Sequence, residues 1–286
     1  MTIVIGLILV VGLVFGGFML SGGKLDIILH ALPFEGMMVG GAALGAFVIS
    51  NSIAMMFECW KGFLRALQGP RWSKADYADL LKLMYELTRI YRNRGILALE
   101  PHIERPEQSD IFSRYPRILA FKPARDMIID SFRMISMQFD DPYQLEDVLN
   151  RRIEVYEAEV AAPASAMLAG SDGLPAIGIV AAVLGVIKTM ASVDEAPAVL
   201  GTMIAGALVG TFLGVFLAYC MVQPVAARLN QIEEQDANLM KAICDIICAT
   251  IKGNPPNIAT EIARGNLPHQ LQPSFEDVEQ AQRAVI

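Results

Sequence analysis

The fold is decided by residues 174–224, which read LPAIGIVAAVLGVIKTMASVDEAPAVLGTMIAGALVGTFLGVFLAYCMVQP. Two apolar runs within them, 176–187 and 199–223, carry no charged residue and are joined by a short polar turn. A run of about 20 apolar residues is long enough to cross the hydrocarbon core of a bilayer as an α-helix. The stretch therefore predicts two transmembrane helices, with Pro175 and Pro224 at their inner ends.

Small residues recur at helical spacing on both predicted helices. The members are Gly178, Ala182, Gly185 and Thr189 on the first helix, and Thr202, Gly206, Gly210, Gly214 and Ala218 on the second. Residues three or four positions apart lie on one side of a helix, and small side chains let membrane helices approach closely. The two faces therefore predict close packing, either in a simple bundle within the chain or against helices of other chains.

Thr211 is the only hydroxyl residue in the middle of the second run. At about 100° per residue it lies roughly 140° from Gly206, away from the face formed by the glycines. A hydroxyl at this position either faces a pore, where it meets a passing ion, or bonds back to the carbonyl oxygen of Ala207. The residues alone leave both interpretations open.

Two more apolar runs lie near the N-terminus, at about 3–20 and 37–57. A polar interval at 30–36, which contains Pro33 and Glu35, separates them. No positively charged leader precedes the first run, so we expect a retained membrane span there rather than a cleaved signal peptide.

The four predicted spans are 3–20, 37–57, 174–190 and 199–222. They predict an all-α, polytopic membrane protein with four transmembrane helices and a helical cytoplasmic domain. The predicted division has transmembrane helices 1 and 2 in 1–57, a cytoplasmic helical insert in 58–173, transmembrane helices 3 and 4 in 174–224, and a cytoplasmic C-terminal helix and tail in 225–286. The central spans contain no Asp or Glu.

The distribution of basic residues predicts the orientation in the membrane. Most of the 23 Lys and Arg residues lie in the insert and the tail, whereas the two short turns hold only Lys24 and Lys188. Because basic residues are enriched on the cytoplasmic side of a membrane, the insert and tail are expected in the cytoplasm and the turns outside.

The insert and tail carry the apolar periodicity of helices and no alternation typical of strands. A helix is predicted from a capping box at Ser73 to Gly95, and a second at about 125–137. A third begins at Asp141-Pro142 and continues past Pro163 towards the third span. The fourth span continues as a helix that Gly253 ends, and a last helix starts near Phe275.

Composition excludes several classes of function. Of 286 residues 54% are hydrophobic, with 23 basic and 30 acidic side chains and a net charge of −7, and the mean hydropathy is +0.43. This indicates a membrane protein with a substantial part in water. It argues against nucleic acid as a partner, because phosphates require uncompensated basic residues.

Residues with catalytic or metal-binding chemistry are few and scattered. They are His30, His102, His269, Cys59, Cys220, Cys244 and Cys248. Cys244 and Cys248 share a helical face, but no histidine or second thiol pair accompanies them, so a metal site is disfavoured. The insert also lacks a glycine-rich phosphate loop and a nucleophile cluster. We therefore expect no metal, no cofactor and no enzymatic activity.

The most charged part of the insert is the run at 89–105. Its charged and titratable residues are Arg89, Arg92, Arg94, Glu100, His102, Glu104 and Arg105. Such a run is either a solvated helix face or, because its signs are mixed, a docking surface for another charged protein.

Strings of sequence spread along nearly the whole chain resemble the MotA family of flagellar motor stator subunits, in the MotA/ExbB/TolQ superfamily. These strings are VFGG at 14–17, SGG at 21–23, RNRGILALE at 92–100, YPRIL at 115–119, LPAIGIVAA at 174–182, VGTFLG at 209–214, PP at 255–256 and PSFE at 273–276. The resemblance implies an ion-conducting stator in the bacterial inner membrane that converts ion flow into torque on the rotor.

The resemblance also implies partners and residue roles. Several copies, five in the family's architecture, form a ring around a dimer of the single-span MotB protein, which supplies an ion-binding Asp. Thr211, Ala182, Gly178 and Thr189 would line the ion pathway, and Pro175 and Pro224 would couple it to the insert. Arg92 and Glu100 match charged residues of the family that engage the rotor protein FliG.

Ala182 favours protons as the coupling ion. Sodium-driven relatives tend to carry threonine at this position, where a hydroxyl replaces part of the hydration shell of sodium. The hydroxyl groups of Thr189 and Thr211 leave sodium as the alternative coupling ion. Two alternative functions also remain: a proton-channel energiser like ExbB or TolQ, which usually has three spans, and a passive membrane scaffold.

Overall fold

A computed structural model describes residues 2–139 and 141–283, and the regular structure in these residues is entirely helical. The α-helices are α1 Thr2–Leu20, α2 Leu25–Ser50, α3 Ile53–Gln68, α4 Lys74–Arg94, α5 Glu100–Glu104, α6 Pro116–Ala120, α7 Lys122–Ser136, α8 Pro142–Asp172, α9 Leu174–Met190, α10 Pro197–Phe216, α11 Gln223–Ile251, α12 Pro256–Asn266 and α13 Phe275–Arg283. The prediction of an all-α fold is confirmed.

The described residues divide into two compact units. One, the membrane unit, comprises those in 1–69 and 161–232, and the other, the head unit, comprises those in 70–160 and 233–286. Four helical stretches among the described residues are long and apolar enough to cross a bilayer: Thr2–Leu20, Leu25–Ser50, Pro142–Met190 and Pro197–Ile251. The number of predicted spans therefore agrees with the structure.

The position predicted for the second span is wrong. The sequence suggested 37–57, but α2 begins at Leu25 and ends at Ser50, and Ser52 then caps α3 by accepting a bond from Met55 N at 3.2 Å. Pro33 lies inside α2 instead of in a connecting interval. Proline lacks an N–H group and weakens a helix locally, but membrane helices tolerate it when neighbours satisfy the freed backbone groups.

The membrane unit is held together by contacts between α2, α9 and the end of α10. Val39 on α2 packs with Leu174 and Ala181 on α9 and with Ala218 beyond α10. Helix α1 has no buried residue and meets α10 mainly through aromatic edges, with ring centroids of Phe15 and Phe212 5.9 Å apart. This loose attachment leaves most of α1 exposed.

The head unit has a large apolar core built from α4, α7, α8 and α11. Its fully buried side chains include Tyr77, Phe112 and Phe132. Helix α4 starts at the predicted capping box, in which Ser73 N donates to Asp76 Oδ2 at 2.8 Å, and ends at Gly95 with a φ of 77°. The predicted helices in the insert and the tail are therefore confirmed, with start points that differ by a few residues at α7.

Candidate ion pathway

Helices α9 and α10 pack backbone against backbone through their glycines. A Cβ atom added at Gly178 would lie 2.8 Å from Gly210 O, and one added at Gly214 would lie 2.5 Å from Leu174 O. A Cβ atom at Gly185 would lie 2.5 Å from the Cβ atom of Ala207. Side chains larger than hydrogen therefore do not fit at these three positions. The small-residue faces predicted from the sequence meet each other within one chain.

Thr211 lies in the region where the two helices are in close contact. A Cβ atom at Gly178 would be 3.2 Å from Thr211 Cα, and Ala182 N lies 3.4 Å from a Cβ atom built at Gly210. Gly178, Ala182 and Thr211 are therefore neighbours, and their role in an ion pathway stays a prediction. In the described part of the chain, no hydrogen bond joins the Thr211 hydroxyl to the Ala207 carbonyl. The position of Thr211 in a pore stays a prediction.

Thr189 lies apart from this group. It is 11 residues beyond Gly178 on α9, which corresponds to about 16 Å along a helix. Its side chain is buried, and its hydroxyl donates to Gly185 O at 2.9 Å. The hydroxyl of Thr202 is occupied in the same way by Ala198 O at 3.0 Å. The role of Thr189 in an ion pathway stays a prediction.

Glu35 is a buried carboxyl group that the sequence argument assigned to a polar interval outside the spans. It lies in the middle of α2 and is 6% exposed. Its Oε2 atom is buried and has no hydrogen-bond partner in the described residues. A Cβ atom at Gly210 would collide with this oxygen, so the glycine provides the space that the carboxyl group occupies.

The sequence contains one signal for the burial of Glu35, which is the continuity of the apolar run on both sides of Pro33. Residues 25–50 form one run with few charges, and only Asp26 and Glu35 in it are acidic. Treating proline as a break hid the continuity of this run, because proline ends most helices of soluble proteins.

A cavity of about 740 Å³ opens between α2, α9 and α10 beside Glu35. Its polar lining residues are Asp26, His30 and Glu35 from α2, Lys188 from α9 and Thr202 from α10. The rest of the lining is apolar and includes Leu184, Gly206 and Ala207. The cavity therefore joins the charged residues at the ends of the helices to a carboxyl group in the interior of the membrane unit.

The two prolines lie at turns that are connected by one hydrogen bond. Pro175 is in the first turn of α9, directly after the break at Gly173. Residues Leu217–Val222 form a π-helical segment ahead of Pro224, which has no N–H to donate to Cys220 O in an α-helix. Gln223 Nε2 donates to Asp172 Oδ1 at 3.0 Å, so the start of α11 is tied to the end of α8.

Arg92 and Glu100 are both exposed on the head unit. Arg92 Nη1 donates to Gly253 O at 2.9 Å, and Glu100 is the first residue of α5. Other residues of the charged run make internal contacts: Glu104 pairs with Arg133 at 2.9 Å, which lowers the pKa of the Glu104 carboxyl group. The run is therefore partly structural, and Arg92 and Glu100 are among its residues that face solvent.

Comparisons with known proteins match nearly the entire chain. The motility protein A N-terminal family model matches residues 4–95, and the MotA/TolQ/ExbB proton channel family model matches residues 120–242. Motility protein A of Salmonella typhimurium is 38% identical over 285 residues, which cover 100% of this chain and 96% of that protein. Chemotaxis protein LafT of Vibrio parahaemolyticus is 32% identical over 275 residues, with 96% of each chain covered.

Two solved structures share the fold. The flagellar MotAB stator complex from Bacillus subtilis contains a chain with a TM-score of 0.68 and 22% identity, covering 90% of this chain and 92% of that one. The structure of C. jejuni MotAB contains a chain with a TM-score of 0.74 and 18% identity, covering 96% of this chain and 98% of that one.

Proposed function

The chain belongs to the motility protein A family, and on that premise we propose that it is the ion-conducting stator subunit of a bacterial flagellar motor. The observation that carries this proposal is the 38% identity over 285 residues, which includes both the membrane spans and the head unit. In the proposed complex, ion flow through the interface with a MotB-type partner produces torque on the rotor. The family is one of multi-pass proteins of the bacterial inner membrane, and we place the head unit and the tail in the cytoplasm.

The proposed pathway passes the level of Gly178, Ala182 and Thr211. Helices α9 and α10 carry no Asp or Glu, and an ion that crosses lipid requires a charged or protonatable relay. A single-span partner dimer would supply this relay as an Asp against the exposed side of the helix pair. The two prolines at the turns, Pro175 and Pro224, would transmit the protonation of this Asp through the hydrogen bond between Gln223 and Asp172.

Protons are the proposed coupling ion. Ala182 offers no side-chain oxygen that would replace part of the hydration shell of a sodium ion. A sodium ion that leaves water requires several oxygen ligands in compensation, whereas a proton requires only one acceptor at a time. The name of the matching MotA/TolQ/ExbB proton channel family agrees with this choice.

The exposed apolar surface of the membrane unit supports association with lipid and with further copies. Large apolar side chains on α1 and α9 are exposed in the single chain, among them Ile8, Leu13, Ile179 and Ile187. Lipid tails are as apolar as these side chains, so this surface can be covered either by lipid or by close packing against the helices of other copies. We propose a ring of copies, five as in the family's architecture, around the partner dimer, with membrane lipid covering the outside.

Arg92 and Glu100 are the proposed contacts to the rotor protein FliG. One charge that crosses a potential of 100 mV releases about 2.3 kcal/mol, whereas an exposed ion pair contributes roughly 0.2–1 kcal/mol. The free energy released by one ion transfer therefore exceeds the free energy needed to break one such ion pair. Two exposed side chains of opposite sign therefore suit a contact that is exchanged at each step.

The pathway is tested by Thr211→Leu, with Thr211→Ser as the control that keeps the hydroxyl group. We expect the leucine variant to reduce flagellar rotation at least tenfold, because its side chain fills the space at the level of Gly178. The complex with the single-span partner should still be recovered in native amounts, and the serine variant should rotate the flagellum. Loss of the complex in the leucine variant would show instead that Thr211 is a packing residue.

A further inference from the structure

Glu35 presents a problem that packing alone does not solve. A buried carboxyl oxygen without a hydrogen-bond partner is costly, and an apolar side chain of similar size would fill the same space at less cost. Ionisable residues inside membrane spans are expensive and accordingly mark ion pathways in many membrane proteins. The position of Glu35 is therefore better explained by a reaction of its carboxyl group than by its shape.

The surroundings of Glu35 connect it in two directions. On one side lies the cavity of about 740 Å³, whose titratable and charged lining residues are Asp26 and His30 from α2 and Lys188 from α9, while α10 contributes the hydroxyl residue Thr202. Asp26, His30 and Lys188 are exposed, so this end of the cavity is open to water. On the other side, Glu35 Oε2 is directly against Gly210.

Gly210 connects the carboxyl group to the candidate ion pathway. It precedes Thr211 in α10, and a Cβ atom at this position would lie 3.1 Å from Ala181 Cβ and 3.4 Å from Ala182 N. The carboxyl group therefore lies beside the contact between α9 and α10 at Gly210. It is about 15 Å along α2 from Leu25, where the helix begins.

We propose that Glu35 is a protonatable relay of the ion pathway, placed between the open cavity and the level of Thr211. In the first step, the carboxylate takes a proton from hydronium in the cavity and leaves one water molecule. In the second step, the carboxylic acid gives this proton to the partner's carboxylate, either directly or through water, and becomes a carboxylate again. The number of protons is conserved in both steps, and no further reactant is needed. This relay rests on the proposed function, which supplies the final acceptor.

The relay is tested by proton flux into liposomes that contain the purified complex of the full chain with its partner. Glu35→Gln has nearly the same shape but does not exchange a proton, and Glu35→Asp keeps the acid on a shorter side chain. Glu195→Gln is the matched control, because it makes the same substitution at an exposed carboxyl group in the turn between α9 and α10, which does not line the cavity. Complex yield and thermal unfolding midpoint are measured for each variant.

We expect Glu35→Gln to lower proton flux at least tenfold with an unchanged yield and unfolding midpoint, and Glu195→Gln to change flux less than twofold. Glu35→Asp should conduct, with a flux that depends on the outside pH differently from the native complex. Native flux in the glutamine variant would overturn the relay. If the glutamine variant does not assemble, the aspartate variant decides, because an unchanged pH profile would then show that Glu35 only fills space.

Failure of the relay is distinguishable from failure of the proposed function. Proton flux into liposomes does not depend on a flagellum, so a complex that conducts protons but restores no rotation contradicts only the role as a stator. A native complex that rotates flagella while Glu35→Gln conducts normally contradicts only the relay.

Discussion

Individual glycines of the membrane unit have different roles that their spacing does not reveal. Gly178 and Gly206 each belong to a face of small residues at helical spacing, and the sequence treats them alike. In the structure, a Cβ atom at Gly178 would meet the backbone of α10 at 2.8 Å, whereas one at Gly206 would meet only Ala31 Cβ at 3.8 Å. The first distance is too short for an alanine without a shift of the helices, and the second is an ordinary contact.

Gly178→Ala should therefore destabilise the membrane unit, and Gly206→Ala should not. Forcing an extra methyl group into a packed interface costs about 1–3 kcal/mol, whereas a substitution into available space usually changes stability by less than about 0.5 kcal/mol. The thermal unfolding midpoint of the purified complex in detergent measures both. Equal midpoints for the two variants would mean that α9 and α10 are not in close contact at Gly178.

Glu35 shows the limit of prediction from sequence at the same scale. Thr211 stands out as the only hydroxyl residue in the middle of its run and Ala182 as a member of a small-residue face, and the structure brings both close to Gly178. Glu35 was assigned to a loop because Pro33 and a carboxyl group are both typical of loops in water. Its burial depends on Gly210, far away in sequence, and no local pattern contains that information.

Among the elements, the joint between α10 and α11 departs most from regular geometry. The π-helical turn Leu217–Val222 widens the helix just before Pro224, where an α-helical bond is absent. The sequence predicted that proline would mark the inner end of the fourth span. It did not predict the π-helical turn, because a proline alone is compatible with a break, a kink or a wide turn.

Pro224→Ala should reduce flagellar rotation several-fold without lowering stability. Alanine restores an N–H group that can bond to Cys220 O, and such a bond contributes about 0.5–1.5 kcal/mol, so the joint would become a regular and stiffer helix. Pro142→Ala is the control, because Pro142 is the first residue of α8 and belongs to the head unit, whereas the joint belongs to the membrane unit. Rotation speed and unfolding midpoint measured side by side test this. Native speed in Pro224→Ala would argue against any role of the joint in coupling.

For the whole molecule, apolar runs predicted the all-α fold and the number of spans because a bilayer imposes a length on every helix that crosses it. They misplaced the second span, since Pro33 and Glu35 interrupt the apolar pattern although both lie inside α2. The helices of the head unit were predicted from capping and periodicity, as at Ser73 and Gly95. Local sequence patterns do not contain information on contacts between distant segments, such as the hydrogen bond of Gln223 with Asp172.

Flagellar rotation in a strain without this chain tests the central claim most directly. The strain is complemented with the native chain or with Pro175→Leu, which removes the proline from the first turn of α9, and the rotation of tethered cells is recorded. We expect the deletion strain to build flagella that do not turn, the native chain to restore rotation, and the leucine variant to leave the flagella paralysed although the complex is present. Normal rotation in the deletion strain, in the absence of a second stator, would contradict the assignment.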